Sequence, residues 1–436
     1  MKKNKNKKKV YLTLVGDNLN AGHWNILNIA KKLGEVTVGL MTDRASVEYT
    51  SLPHFSYDER HAFLKKNVKF IENIVPQENL DYSKNLNELK PDIVVHGDDW
   101  KHGKQKDVRL KVIKTLKKWN GKLIEPKYTE NIPISENRKQ FLQNTTTSEI
   151  RKSKLSRLLK VKKIVKILEA HNPIGGIIAD NVSLNINKKY DEFDGVWCSS
   201  LTDSSSRGKP DNQSLDLTTR LNWLSEMFEV TSKPCIFDAD NGGQKEHFKF
   251  LIRRLEKLGV SAVIIEDKIG LKKNSLFKNQ KDTKLDSVKN FCEKIKIAKK
   301  NRVSKDFLII ARLESLITGR GINDAINRAE KYSKAGADLI MPHSNKSNPN
   351  QIFEFSKKFK KSKYFKPLVS VPSTYPSVKD KDLIKNDFKI VIYANQMFRS
   401  SYFSMLNTAK DILKYGRTKE IEKRMVSIKN IIKLIE

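Results

Sequence analysis

The sequence predicts an α/β protein built from two units, of which the second is a (β/α)8 barrel. Short apolar runs alternate along the chain with stretches of helical periodicity, a pattern typical of parallel sheets covered by helices. From residue 153 onward, eight such runs are apolar first and polar last. Strands of this kind suit a barrel because its active-site mouth is formed by the carboxyl ends of the strands.

The first unit is expected at residues 10–127, after a basic tail at 1–9. Strands are predicted in VYLTLVGD, EVTVGLMTD, PDIVVHGDD and GKLIEP, and helices in HWNILNIAKKLG and KDVRLKVIKTLKKW. The polar residues 128–152 break the alternation, so we expect a linker there. The barrel is then expected at 153–436, with strands in ILEAHN, GVWCSS, CIFDAD, AVIIED, FLIIARLE, LIMPHS, LVSVPS and KIVIYAN.

The composition favours a folded globular protein, since 38% of the 436 residues are hydrophobic and 31% are charged. A run of about 18 apolar residues is absent, so a membrane span is not expected. The three cysteines, Cys198, Cys235 and Cys292, are widely spaced. They predict neither a disulfide framework nor a zinc cluster, and they favour a reducing cytoplasm.

The formal net charge of +34 raises the question of a nucleic-acid partner. The lysines are spread over the whole chain, however, and recognised nucleic-acid-binding motifs are lacking. We therefore expect no nucleic-acid partner, and a nucleic-acid-binding protein remains the remote alternative. A positive field of this size would still attract small anionic substrates.

Polar side chains follow the apolar part of nearly every predicted barrel strand. They are Glu169, His171, Asn172, Trp197, Ser199, Ser200, Asp238, Asp240, Glu266, Arg312, Glu314, His343, Ser373 and Asn395. The carboxylates of Asp238, Asp240 and Glu266 suit a hard divalent cation such as Mg²⁺. Arg312, His343 and the nearby Lys272 suit a phosphate or carboxylate ligand. A metal with cationic donors favours phosphoryl or enolate chemistry.

Residues 153–436 resemble the phosphoenolpyruvate mutase branch of the isocitrate lyase superfamily. The signature of that branch, Glu-Asp-Lys, a short spacer and Lys-x-Asn-Ser, is matched by Glu266-Asp267-Lys268 and by residues 272–275. Further matching segments occur in the same order, namely EAHN, GVWCSSL, DAD, ARLESLITGRG, PHSNK and YANQMFRSS.

The resemblance implies a role for each matched position. Asp238 would bind Mg²⁺ directly, and metal-bound waters would be held by Asp211, Asp240 and Glu266. The substrate carboxylate would lie against Trp197, Ser199, Ser200 and Leu201. The migrating phosphoryl group would be surrounded by the catalytic residues Lys272, Asn274, Ser275, Arg312 and His343, with 272–275 on a mobile loop.

The resemblance also implies an isomerase that interconverts the small molecules phosphoenolpyruvate and phosphonopyruvate in phosphonate biosynthesis. The alternatives on the same barrel are a phosphonopyruvate hydrolase and a carbon–carbon lyase. Ser200, Asn241 and Leu271 stand where the family commonly has Gly, Thr and Pro, but none of these departures removes a predicted metal ligand. The apolar spacing of residues 398–416 and the habit of the superfamily predict a homodimer or homotetramer.

The first unit resembles a Rossmann-like cytidylyltransferase domain of the nucleotidylyltransferase type. Its phosphate-binding turn, normally His-x-Gly-His, reads Asn20-Ala-Gly-His23 here and follows Gly16; a late basic position of the family is matched by Arg138. Asn20 replaces one imidazole, and Glu136 adds a negative charge where phosphates would bind. We therefore expect the fold to be kept and the catalysis to be degenerate. The alternative is a bifunctional enzyme that also uses CTP.

Overall fold

The computed structural model describes residues 7–435, except 103–104, 128, 130–133, 187–188, 278–279 and 281–282, and it leaves out the side chains of 134–139, 186 and 189. All the strands predicted from the sequence are present, and they form an open parallel sheet followed by a closed barrel. The predicted fold class is therefore confirmed.

The first unit is a five-stranded parallel sheet in which the first strand is central and the order of the strands is 3-2-1-4-5. In chain order the strands are Lys9–Leu14, Glu35–Met41, Ile71–Gln77, Ile93–Val95 and Lys122–Ile124. The helices are Ala21–Leu33, Asp43–Tyr49, Tyr57–Asn67, Ser83–Leu89 and Lys106–Leu116. The third strand was missed because it lies at the sheet edge, contains Pro76 and is only partly buried.

The second unit is a closed barrel of eight parallel strands in sequential order, in which the last strand pairs with the first. The strands are Val165–Glu169, Gly195–Cys198, Cys235–Asp238, Ala262–Glu266, Leu308–Leu313, Leu339–Pro342, Leu368–Ser370 and Phe388–Tyr393. Two small hairpins pair Ser183–Ile186 with Lys189–Glu192 and Lys268–Ile269 with Lys284–Leu285.

Helices surround the barrel and bury its outer face. They are Pro173–Asn181, Ser200–Ser206, Leu217–Val230, Lys245–Leu258, Val288–Asn301, Gly321–Ala335, Asn350–Phe359 and Asp380–Lys385. The exposed helix Gln396–Tyr415 and the helix Ile428–Ile435 follow. In the described part of the chain, no helix combines the length and the apolar character that crossing a membrane requires.

The segment predicted as a linker is largely helical. It forms Ile134–Thr145 and the start of Ser148–Val161, so the predicted boundary at residue 152 falls inside a helix. We call Ser148–Val161 the connecting helix. Its Leu155 and Leu158 pack into the cluster of apolar side chains that fills the barrel interior, which also contains Val165, Ile236 and Ile264. The connecting helix therefore closes the barrel at the amino ends of its strands.

The two units contact each other through the connecting helix. Arg157 Nε lies 2.7 Å from Asp43 Oδ2, and its other nitrogens donate to the carbonyls of Pro53, His54 and Phe55 at 2.9–3.0 Å. Arg157 is buried, so its charge is compensated by groups of the first unit. The end of the barrel that remains accessible is the one formed by the carboxyl ends of the strands.

Candidate active site

A small cavity of about 50 Å³ lies at the carboxyl ends of the barrel strands. The predicted site residues that line it are Trp197, Ser199, Ser200, Leu201, Asp211, Asp238, Glu266, Lys272, Asn274, Ser275, Arg312 and His343. Asp240 lies beside them and contacts Lys272. Of the other strand-end residues, Ser373 and Asn395 also line the cavity, whereas Glu169 and His171 bind each other at 2.9 Å.

The ammonium group of Lys272 lies among the carboxylates. Its Nζ is 2.5 Å from Asp211 Oδ1, 2.5 Å from Asp240 Oδ1 and 2.6 Å from Ser200 Oγ. Burial alone would lower the pKa of Lys272, but Asp240, Asp238 and Asp211 outweigh it and raise the pKa. Lys272 is therefore charged, and it bridges two residues that were predicted to hold metal-bound waters.

Asp238 ends the strand Cys235–Asp238 and is buried. Its carboxylate accepts hydrogen bonds from Ser200 Oγ at 2.8 Å and from the backbone N–H of Asp240 at 3.1 Å. Burial alone would raise the pKa of Asp238, but Lys272, Arg312 and other nearby donors lower it. Asp238 is therefore an ionised carboxylate at the mouth of the barrel.

These carboxylates fit a hydrated Mg²⁺ ion better than a metal ion with a full protein shell. Among the described residues, no three His, Cys, Asp or Glu side chains stand close enough to bind one ion together. Mg²⁺ commonly keeps several waters and binds through only one or two carboxylates. Asp238 suits direct binding, while Asp211, Asp240 and Glu266 suit binding through water. Burial raises the pKa of Glu266 to about 7.

Another wall of the cavity carries Arg312 and His343, which both contact Glu314. Arg312 Nε donates to Glu314 Oε1 at 2.5 Å, and His343 Nδ1 lies 2.8 Å from the same oxygen. Arg312 Nη2 also lies 3.0 Å from His343 Nδ1, so this ring nitrogen stands between a guanidinium that donates and a carboxylate that accepts. Burial would raise the pKa of Glu314, but Arg312 and His343 lower it well below its usual range. No role was predicted for Glu314.

One apolar-lined end of the cavity carries a free donor. Trp197 Nε1 is buried and, among the described residues, has no hydrogen-bond partner. Ser199 and Leu201 lie beside it at the start of the helix Ser200–Ser206, where the first N–H groups of any helix lack partners within the helix. Donors of this kind suit a substrate carboxylate.

Residues 271–277, which we call the closing loop, cover the cavity. Asn274 Nδ2 donates to Asp211 Oδ2 at 2.7 Å, so the loop is tied to the same carboxylate as Lys272. Lys268, at the base of the loop, lines the cavity and donates to Ser275 Oγ at 2.7 Å. The sequence signature contains Lys268, but the sequence alone predicted no role for it.

The first unit has a much larger cavity, of about 690 Å³, at the carboxyl ends of its strands. Gly16, Asn20 and His23 line it, whereas the side chain of Arg138 lies outside the described residues. Asn20 Oδ1 accepts from the backbone N–H of His23 at 3.1 Å, and His23 Nδ1 accepts from that of Asn20 at 3.2 Å. The two side chains thus cap the helix Ala21–Leu33, and burial lowers the pKa of His23.

Comparisons with known proteins agree with both units. A family model described as phosphoenolpyruvate phosphomutase matches residues 155–413, and one described as cytidylyltransferase-like matches 17–156. Phosphoenolpyruvate phosphomutase from Tetrahymena pyriformis is 30% identical over 302 residues, which are 69% of this chain and 95% of that protein.

Two solved structures resemble the barrel. The crystal structure of phosphoenolpyruvate phosphomutase from Streptomyces platensis subsp. rosaceus is 32% identical, with a TM-score of 0.61 over 66% of this chain and 95% of that chain. A phosphonopyruvate hydrolase in complex with oxalate and Mg²⁺ is 30% identical, with a TM-score of 0.59 over 65% and 94%. Since the phosphomutase model covers more than half of the chain, this protein belongs to the phosphoenolpyruvate phosphomutase family.

Proposed function

We propose that the barrel interconverts phosphoenolpyruvate and phosphonopyruvate. The observation that carries the proposal is the cavity at the barrel mouth in which ionised Asp238 lies together with the guanidinium of Arg312 and the imidazole of His343. Moving phosphorus between oxygen and carbon passes through a loose, metaphosphate-like transition state, which needs charge stabilisation more than a strong nucleophile. Membership of the phosphomutase family and the similarity to relatives of that activity support the same reaction.

Each wall of the cavity has a task in this reaction. Trp197, with Ser199, Ser200 and Leu201, binds the substrate carboxylate and fixes its orientation. Arg312, His343 and Asn274 hold the phosphoryl oxygens as charge builds on them. Mg²⁺ held by Asp238, and through water by Asp211, Asp240 and Glu266, would supply further charge stabilisation to the substrate oxygens when bound.

The closing loop has the second task of excluding water. A metaphosphate-like group that meets water gives inorganic phosphate, so a single admitted water would turn a mutase into a hydrolase. Lys272, Asn274 and Ser275 of the loop line the cavity and separate part of it from solvent. A loop that stays closed during the reaction is what the mutase requires and the phosphonopyruvate hydrolase does not.

Phosphorus NMR of the full-length protein with phosphonopyruvate and Mg²⁺ tests this proposal. We expect the phosphonate resonance to be replaced by that of phosphoenolpyruvate. Inorganic phosphate as the main product would identify a hydrolase, and an unchanged phosphonate signal with breakdown of a carbon–carbon substrate would identify a lyase. Salt-dependent binding to random DNA, with no activity on phosphonopyruvate, would favour the nucleic-acid alternative.

For the first unit we infer a cytidylyltransferase-like fold without efficient catalysis. Asn20 and His23 bind each other's backbone as helix caps, and a neutral amide cannot supply the positive charge of an imidazolium. The cavity lined by both residues is large enough for a nucleotide such as CTP. CTP binding without turnover is therefore the expected behaviour of this unit, and turnover would make the enzyme bifunctional.

The exposed helix Gln396–Tyr415 supports the proposal of a homo-oligomer. None of its residues is buried, and the large apolar side chains of Phe403, Met405 and Leu413 are 68%, 62% and 86% exposed. An apolar face of this kind is unusual on a monomer and suits an interface with a second copy. Light scattering should give a dimer or tetramer, and a monomer at working concentration would contradict the proposal. The cytoplasmic location is proposed from the cysteine pattern alone.

A further inference from the structure

The hydroxyl group of Ser275 is fully engaged by neighbouring side chains. It donates to Glu314 Oε2 at 2.7 Å and accepts from Lys268 Nζ at 2.7 Å and from Arg312 Nη2 at 3.1 Å. A serine hydroxyl has one donor and two acceptor positions, so all three are occupied. While these contacts hold, Ser275 has no donor left for a phosphoryl oxygen.

The ammonium group of Lys268 is likewise held by several neighbouring groups. Besides Ser275, its Nζ donates to the carbonyl of Lys273 at 2.9 Å and lies 3.4 Å from Glu266 and 3.6 Å from Glu314. Lys268 is buried and belongs to the hairpin formed by Lys268–Ile269 and Lys284–Leu285. It therefore joins the base of the closing loop, which is fixed in a hairpin, to the backbone and side chain of the loop itself.

Glu314 connects this group to the barrel wall. It is fully buried at the end of the strand Leu308–Leu313, and its backbone N–H donates to Asp267 Oδ1 at 2.9 Å. Asp267 is itself bound by Arg328 and by the hydroxyl of Tyr332 at 3.0 and 2.9 Å. The carboxylate that accepts from Ser275 is thus held on a rigid element, whereas Ser275 lies on a loop.

We propose that Lys268 and Glu314 are positioning residues that latch the closing loop over the cavity through Ser275. Hydrogen bonds that involve a charged partner are about twice as strong as neutral ones. The bonds that Ser275 makes with Lys268 and with Glu314 are both of this kind. We assign both residues an effect on the position of the loop rather than on the reacting atoms. Its consequence for the product, retention of the phosphoryl group away from water, rests on the proposed mutase function.

Trypsin reports on the latch without any need for activity. Cleavage after Lys273 requires the carbonyl of that residue, which Lys268 binds in the closed loop. We expect Lys268→Met to raise the rate of cleavage at the Lys273–Asn274 bond about tenfold in the full-length protein, the effect of losing one charge-assisted hydrogen bond. Mass spectrometry of the first fragments identifies this bond among the other sites.

The barrel offers a matched control at its opposite end. Lys152 Nζ lies 3.4 Å from Glu256 Oε1, and both residues are as buried as Lys268 and Glu314. Lys152→Met and Glu256→Gln should leave cleavage after Lys273 unchanged, whereas Lys268→Met and Glu314→Gln should both raise it. Equal rates in the two pairs of variants would overturn the latch.

A double-mutant cycle separates the latch from a general loss of stability. If Ser275 acts through Lys268, Lys268→Met in combination with Ser275→Ala should cleave no faster than Lys268→Met alone. If each substitution instead multiplied the effect of the other on the cleavage rate, the proposal would be overturned. With phosphonopyruvate, the latch variants should release a larger share of inorganic phosphate than the Lys152 and Glu256 controls. An unmodified protein without mutase activity would contradict the proposed function, while the cleavage rates would still decide the latch.

Discussion

The two cavities of this protein differ most in how their polar side chains are used. The barrel cavity, of about 50 Å³, is surrounded by charged groups such as Asp238, Lys272 and Arg312, which face one another across it. The cavity of the first unit, of about 690 Å³, places Asn20 and His23 at its phosphate-binding turn, where they cap a helix. From this comparison we propose that the charge available to a ligand, rather than the volume of the cavity, distinguishes the catalytic cavity from the other one.

Both cavities arise from the same topological rule. The carboxyl ends of parallel strands meet at one edge of a sheet or one mouth of a barrel, and loops at those ends carry the polar side chains. The fold of the first unit therefore offers a site even where the residues in it have changed. Retained architecture and retained chemistry are separate properties of this chain.

The largest effect is expected from removing the carboxylate predicted to bind the metal directly. Asp238→Ala should abolish turnover and remove the response to Mg²⁺, because no other described carboxylate takes its place between Ser200 and Asp240. Folding should persist, since the residue lies at the mouth and outside the apolar core. Assays of phosphoenolpyruvate formation, calorimetric Mg²⁺ titration and circular dichroism measure these outcomes.

Asp194 provides the control for this variant. It is a buried aspartate at the amino end of a barrel strand, paired with Lys162 at 2.6 Å. Asp194→Ala should keep its turnover per folded molecule. Normal activity in Asp238→Ala would show that the metal assignment is wrong.

A smaller but still severe loss is expected from the closing loop. Asn274→Ala removes the donor to Asp211 and a candidate phosphoryl donor, and the loss of one such donor typically costs about 10²–10³ in rate. The share of inorganic phosphate among the products should rise as well. Asn301→Ala, in an amide that caps a distant helix, should change neither quantity. Unchanged turnover in Asn274→Ala would mean that the loop signature has been misinterpreted.

The first unit should contribute little to catalysis. His23→Ala is expected to leave mutase turnover unchanged, and the unmodified protein should release little or no pyrophosphate from CTP with a phosphonate acceptor. Asn20→His combined with Glu136→Ser is expected to restore some release, because it returns the second imidazole and removes a negative charge. Strong pyrophosphate release by the unmodified protein, lost in His23→Ala, would show that both cavities are catalytic and would contradict this prediction.

The smallest effect concerns stability at the junction of the two units. Burial lowers the pKa of Lys154, on the connecting helix, from 10.5 to about 7. Between these values the unfolded chain binds more protons than the folded one, so this residue's cost to stability falls as the pH rises from 7 to 10.5. Lys154→Met should therefore stabilise the protein at pH 6–7, and the gain should fade toward pH 10.5.

Thermal unfolding of the unmodified protein and of Lys154→Met across this pH range measures the difference in their stability. The exposed Lys160 on the same helix is the control, and Lys160→Met should shift stability equally at every pH. A gain for Lys154→Met that stays constant with pH would contradict the buried-lysine account.

The strands were predictable because burial leaves a local record in the sequence. Ala262–Ile265 reads as four apolar residues in a row because both faces of that strand are covered, and Glu266 follows where the strand meets the cavity. The connecting helix left no such record, since Arg151, Lys152, Lys154 and Arg157 are buried by partners far away in the chain. Charged residues that are neutralised by tertiary contacts look like solvent-exposed residues in a sequence.

The sequence predicted which residues lie at the site, but it did not predict which of their side chains pair with each other. The residues matched to the signature and to the predicted metal and substrate sites lie at one cavity or its edge, whereas the strand-end residues Glu169 and His171 bind each other. Which charges face each other depends on side-chain distances across strands, so the sequence did not reveal Lys272 between Asp211 and Asp240 or Glu314 beneath Ser275.

One phosphorus NMR measurement tests the contrast between the cavities most directly. The full-length protein is incubated with Mg²⁺, CTP and phosphonopyruvate, which serves both as the proposed substrate of the barrel and as the phosphonate offered to the first unit. We predict that phosphoenolpyruvate appears while the three CTP resonances remain unchanged. Loss of the CTP signals to pyrophosphate and a cytidylyl phosphonate, with no phosphoenolpyruvate formed, would contradict the assignment of chemistry to the barrel.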